Sequence, residues 1–197
     1  MRLLKNRSIG FYLCLVLLLT LAIGGSAIVY ADSSPVTVPV KAGSLTEANP
    51  TNQVSVNFNG TIRLVTYTLP ITVIDARGSA GGWNLMVTST KFKLTNGQDK
   101  DHDKDIDKLP SHASYITGVN ESCDVNSTCT SPINSISYPL LLPAGNPPPP
   151  PVKFFNATVG SGLGKILLTM MVQVKIPAPK ATGTYTSTVI LTIVNGP

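Results

Sequence analysis

The chain has 197 residues, 43% of them apolar and only 13% charged, with 16 Gly, 16 Pro and a formal charge of +5. That length accommodates one domain or at most two small ones. Charge this sparse excludes a nucleic-acid binder, the apolar content excludes a disordered chain, and the Gly and Pro content excludes a helical bundle.

Residues 1–31 have the three parts of a secretory signal: basic Arg2, Lys5 and Arg7, an apolar run from Ile9 to Ile23, and small residues ahead of Asp32. Cleavage is expected after Ala31, with Ala27 as a second position. The alternative is a retained membrane anchor, since about 20 apolar residues span a bilayer. No small residues lie just before Cys14, so a lipoprotein anchor is not expected. Without the three leader charges, 12 basic residues stand against 10 acidic ones, a net +2. Such a chain has no electrostatic reason to bind phosphate backbones or anionic lipid. No nucleic-acid partner is expected, and a membrane enters only if the leader is kept.

Residues 32–53 are expected to form a flexible N-terminal segment, with one short strand candidate at 36–40, and residues 54–197 a single domain. From Val36 onward alternating patterns are common, and no window shows helical apolar periodicity. The segment 54–58 reads as a short strand. In 66–75, Tyr67, Leu69, Ile71 and Val73 share one face, and Pro70 argues for an edge or a bulge. In 83–93, Trp83, Leu85 and Val87 share a side. The run 99–108 is charged and interrupts the strands, and 114–119 reads as the next one. Two cysteines follow, Cys123 and Cys129; in an exported chain an even count in an Asn/Ser-rich stretch predicts a disulfide closing a short loop.

Strands are next expected at 133–142 and 152–158, with the five prolines at 147–151 as a stiff extended spacer. The segment 165–177 is the most apolar and is expected to be central, with Ile166, Leu168, Met170, Val172, Val174 and Ile176 in register. The last, 184–194, sets Tyr185, Val189, Leu191 and Ile193 against threonines. Eight or nine short strands separated by Gly and Asn turns predict an all-β fold: an antiparallel two-sheet sandwich or Greek-key barrel with one short-loop disulfide.

Candidate chemistry is thin. Asp99, Asp101, Asp103, Asp105 and Asp107 alternate as calcium ligands can, but the run has no Gly at the sixth loop position and no Glu at the twelfth. Lys100, Lys104 and Lys108 also oppose a cation, so a solvated loop is expected and no metal. His102 and His112 have no nucleophile with a recognisable spacing, and no phosphate loop, zinc motif or redox Cys pair is present. An enzyme and a cofactor are therefore not expected.

Two distant segments stand out, DARGSAGGWNLMVTS with the single tryptophan Trp83, and the terminal GTYTSTVILTIVNGP. Each begins a strand after a Gly-containing turn. By themselves, Trp83 reads as a core aromatic and Tyr185 as a corner tyrosine whose hydroxyl bonds the backbone. Together, Trp83-Asn84-Leu85, Tyr185, the Leu191-Thr192-Ile193 triplet and the terminal Pro197 resemble the WxL domain of Gram-positive cell surfaces. The family's Tyr-to-Pro spacing is kept, with Leu191 standing where the family has a second Trp. The resemblance covers about Val54 to Pro197. It implies a domain held non-covalently on the wall through peptidoglycan or through other cell-surface proteins, with Trp83, Leu85, Tyr185, Leu191, Thr192, Ile193 and Pro197 as its binding motifs. Trp83 and Leu85 would either form an apolar stacking patch or knit the motif strands together. A competing reading is a fibre or matrix subunit that assembles by pairing strand edges, motivated by the threonine-rich last strand; a third is an adhesin that uses the aspartate run.

Overall fold

The structure, a computed structural model, describes residues 43–48, 51–60, 63–97, 107–177 and 180–196. Eleven strands follow in chain order: β1 (Leu45–Ala48), β2 (Thr51–Phe58), β3 (Arg63–Asp75), β4 (Trp83–Thr90), β5 (Lys93–Gly97), β6 (Ser114–Cys123), β7 (Leu140–Leu141), β8 (Ala144–Gly145), β9 (Val152–Ala157), β10 (Gly164–Ile176) and β11 (Gly183–Asn195). They form two sheets, one in the order β1-β3-β10-β6-β7, the other in the order β2-β11-β4-β8 with β5 also beside β11 and β9 also beside β4. Every pairing is antiparallel except the two-residue β4–β8 contact. The fold is the expected all-β sandwich.

Alternation explains the layering. Side chains two apart share a face, so a strand with every second residue apolar buries that face against the facing sheet. β10 lies in the middle of its sheet, as expected, and buries all six of Ile166, Leu168, Met170, Val172, Val174 and Ile176. Leu69, Ile71 and Val73 of β3 join them. From the other sheet come Val54, Val56 and Phe58 of β2, Trp83, Leu85 and Val87 of β4, and Tyr185, Val189 and Leu191 of β11. Burying each large side chain contributes about 1.5–3 kcal/mol, which makes this shared interior the main support of the fold. Pro70 lies opposite Thr169 of β10 but beyond the reach of β1, whose last pair is Ala48 with Thr72. Among the described residues no strand pairs with β3 on that flank at Pro70, which is where a residue without an N–H is tolerated.

Several expectations need correction. The sandwich starts before Val54: β1 pairs with β3 from Leu45, and β2 starts at Thr51. The expected strand 83–93 divides into β4 and β5, because Phe92 turns inward and is buried, its ring edge-on to Tyr67 at 6.4 Å. The segment 133–142 is strand only at β7. Its backbone is held instead by side chains: Ile133 N–H donates to Ser161 Oγ (3.0 Å), Ser135 N–H to Asn156 Oδ1 (2.9 Å) and Ile136 N–H to Asn134 Oδ1 (3.2 Å). Side-chain acceptors of this kind, local in Asn134 and distant in Asn156 and Ser161, take the N–H groups that a ladder would need. The proline run is the β8–β9 connection and packs on β4, where Thr88 Oγ1 donates to the Pro149 carbonyl (2.7 Å). The strand candidate at 36–40 lies outside the described residues.

Cys123 and Cys129 form the predicted disulfide, with Cα atoms 5.7 Å apart. It closes the turn between β6 and the loop leading to β7, and both cysteines pack against the core. A disulfide of this kind belongs to an oxidising environment. Among the described residues no helix is long and apolar enough to cross a membrane.

Candidate functional site

The two motif segments meet at one end of the β4–β11 ladder. Trp83 lies opposite Asn195, Asn84 opposite Val194, Leu85 opposite Ile193 and Val87 opposite Leu191. Because β4 enters from the turn after β3 and β11 is the last strand, more than a hundred residues of chain separate partners that touch.

The turn is built by charge. Asp75 ends β3 with a buried carboxylate, and Arg77, two residues on, returns to it in a bidentate pair: Nε donates to Oδ1 (2.9 Å) and Nη2 to Oδ2 (2.7 Å). Arg77 N–H also donates to Oδ1 (3.1 Å). These hydrogen bonds hold the Asp75 carboxyl below the usual carboxylate range and raise the Arg77 guanidinium. The guanidinium then reaches across the turn, Nη2 to the Gly82 carbonyl (2.9 Å) and Nη1 to Asn195 Oδ1 at the end of β11. One ion pair thus orders the turn and fastens it to the last strand.

Trp83 follows directly. Its indole is fully buried, 5.9 Å from the Phe155 ring, and its Nε1–H donates to the Gly162 carbonyl (2.9 Å). Gly82 and Gly162 make this approach possible. Both have positive φ, +74° and +70°; a Cβ on Gly82 would come 2.6 Å from the Ala157 carbonyl oxygen, and one on Gly162 would come 2.8 Å from Trp83 Nε1. Asn84 Nδ2 donates to the Gly196 carbonyl (2.5 Å), and Gly196 N–H to the Gly82 carbonyl (3.2 Å).

Of the motif residues, Trp83, Leu85, Tyr185 and Leu191 are all inside the sandwich. A stacking patch of Trp83 and Leu85 is therefore ruled out sterically, since no sugar face reaches a side chain with no exposed surface. The other role, joining the motif strands, is the one their positions allow. Tyr185 does not join them. It lies at the far end of β11, ten residues from Asn195 and so roughly 33 Å away along the strand. Its hydroxyl donates to the Ala181 carbonyl (2.8 Å), as expected of a corner tyrosine. Thr192 faces solvent, and Ile193 is partly buried. Pro197, Asp99, Asp101, Asp103 and Asp105 lie outside the described residues, and among the described residues no group of three acidic, His or Cys side chains is placed to hold a metal.

What remains accessible here is a cleft of about 450 Å³ between the start of β1 and the end of β11, lined by Gly43, Ser44, Leu45, Arg77, Ile193, Val194 and Asn195. Its single charged lining residue is already paired. Val194 is 44% exposed at the rim. The spacing of Asp75 and Arg77 just before a Gly-rich turn was the available sequence signal for this corner, and alternation sets Val194 in the outward row with Thr192. Compared with known proteins, the chain matches no family profile, no curated protein and no solved structure.

Proposed function

We propose that this is an exported, non-enzymatic cell-surface protein that associates non-covalently with the cell wall, through peptidoglycan or proteins held on it, by the end of the sandwich where β4 meets the terminus of β11. The observation that carries the reading is the convergence of the two motif segments on one fastened corner beside an accessible, nearly neutral cleft. The leader pattern and the disulfide support export. In this reading Trp83, Leu85 and Leu191 form the scaffold, and Ile193, Val194 and Asn195 with Ser44 and Leu45 make the contact. An apolar rim with one neutralised cation suits the low-charge faces of a glycan better than a polyanion.

Sedimentation with isolated peptidoglycan sacculi tests it. The wild-type protein is expected in the pellet, and Val194→Asp in the supernatant with an unchanged melting temperature, because that side chain is exposed. Wild-type protein left in the supernatant, or Val194→Asp pelleting equally well, would overturn the assignment.

A further inference from the structure

A carboxylate taken out of water with neither a donor nor a cation beside it prefers its proton, so a buried unpaired acid couples structure to pH. Glu47 of β1 is such a group. Alternation sets it in the inward row with Leu45, opposite Val73 of β3, and its Oε1 is buried without a hydrogen-bond partner. Burial raises its carboxyl above the usual carboxylate range.

Among the described residues no cation offsets that burial. β1 packs on β3 and β11. On β3, Asp75 stands on the same face one diagonal place away, opposite Leu45, and its carboxylate is committed to Arg77. The Arg77 guanidinium is in turn shared among Asp75, the Gly82 carbonyl and Asn195. Tyr67 and Arg63 lie roughly 20 Å and 33 Å along β3 from Val73. β11 has Tyr185 as its one ionisable residue, near its start, and β2 has none.

The strand that carries Glu47 is lightly held. It has four residues, and among the described residues β3 is its one ladder partner. Two further bonds extend the ladder, Gly43 N–H to the Ala76 carbonyl (2.8 Å) and Ala76 N–H to the Ser44 carbonyl (3.1 Å). Gly43, Ser44 and Leu45 also form one side of the cleft whose other side is Ile193, Val194 and Asn195. Whatever loosens β1 therefore loosens the cleft.

We propose that Glu47 is a pH latch on this cleft: with its proton it stays inside and β1 holds the cleft shut on one side, and as the carboxylate it loosens β1 from β3. The regulation rests on the cleft being the surface that meets the wall. The folded carboxyl is raised, so docking of β1 is fully stabilised below the unfolded value of about 4.3 and weakens as pH rises through the folded one. Docking is expected to weaken about tenfold for each pH unit between the two values.

NMR of the labelled protein from about pH 4 to about pH 8 is the test. The Glu47 carboxyl carbon is expected to titrate above the usual carboxylate range, and the Cα shifts of Leu45–Ala48 to move away from strand values with the same midpoint while those of β10 stay fixed. Glu47→Gln, which cannot ionise, is expected to keep β1 at strand values throughout; if it fails to fold, Glu47→Leu takes its place with the same expectation. Strand shifts in the wild type that ignore pH, a midpoint unlike that of Glu47, or a variant that titrates like the wild type would each overturn the latch. Sacculus sedimentation separates it from the reading it rests on. Wild-type protein is expected to pellet more strongly at about pH 4.5 than at about pH 7.5, and Glu47→Gln equally at both. Protein whose β1 titrates but which never pellets removes only wall association, and equal pelleting while β1 titrates overturns the control of the cleft by Glu47.

Discussion

Trp83 combines three interactions at one position: a ring against Phe155, an N–H to the Gly162 carbonyl, and a backbone place opposite Asn195. Trp83→Ala is expected to destabilise the protein by about 3–5 kcal/mol through the cavity it leaves. Trp83→Phe, which keeps a ring but loses the donor, is expected to cost about 1–3 kcal/mol, since the buried Gly162 carbonyl is left unsatisfied. Urea unfolding measures both. Arg77 and Asp75 make a different test, because removing the arginine leaves a buried carboxylate alone. Arg77→Ala is expected to cost about 3 kcal/mol at neutral pH. Asp75 has a depressed pKa in the folded protein, so its stabilisation is present above the unfolded carboxylate value and is lost as pH falls through the lower folded one. Without Arg77 the buried carboxyl prefers its proton, and the stability gap between variant and wild type should narrow from about pH 5 downward. A gap independent of pH would show that the pair contributes no linkage.

At the scale of elements, the disulfide and the last strand behave differently. The Cys123–Cys129 bond closes a loop of seven residues, which in the chain-entropy model stabilises by about 2 kcal/mol. The Cys123→Ser, Cys129→Ser double variant is therefore expected to fold and to unfold at a lower urea concentration, with the loop 124–128 the first site cut in limited proteolysis. β11, by contrast, is interior to its sheet, with β2 on one flank and β5 and β4 on the other. Among the described residues that double flanking covers Gly183–Thr186 and Val189–Ile190, while Leu191–Asn195 ladder with β4 alone. The threonines of β11 face outward because the inward row of the same strand is apolar; the alternation was readable in advance and the neighbours were not. The failure at 133–142 has a similar cause. The apolar residues there looked strand-like, but the acceptors that capture its N–H groups, Asn156 and Ser161, lie twenty or more residues further along the chain.

At the scale of the molecule, the order of strands along the chain differs from their order in the sheets. β1 and β2 follow one another yet belong to opposite sheets, and β2 finds its partner only in the last strand. The second sheet cannot close until β11 exists. Truncation after residue 182 is expected to leave β2, β4 and β5 without their shared neighbour, giving a product that lacks a cooperative thermal transition and binds a hydrophobic dye. A cooperative transition in that product would show that the first sheet is stable alone. Long-range pairing of this kind is entropically expensive and predicts slow folding for the size.

The positions of β3, β6, β9, β10 and β11, the inward rows of β3, β10 and β11, the all-β class and the disulfide followed from alternation and cysteine count, because a period of two assigns faces without knowledge of the partner. Alternation is the same in every strand, however, and so carries no information about which strand lies beside which. Only the tertiary structure decided that Trp83 is buried and not displayed, that β4 lies beside the end of β11 and not beside Tyr185, and that Arg77 ties the turn to Asn195. Each of these depends on a neighbour brought from elsewhere in the chain, and burial and pairing are properties of the neighbour as much as of the residue.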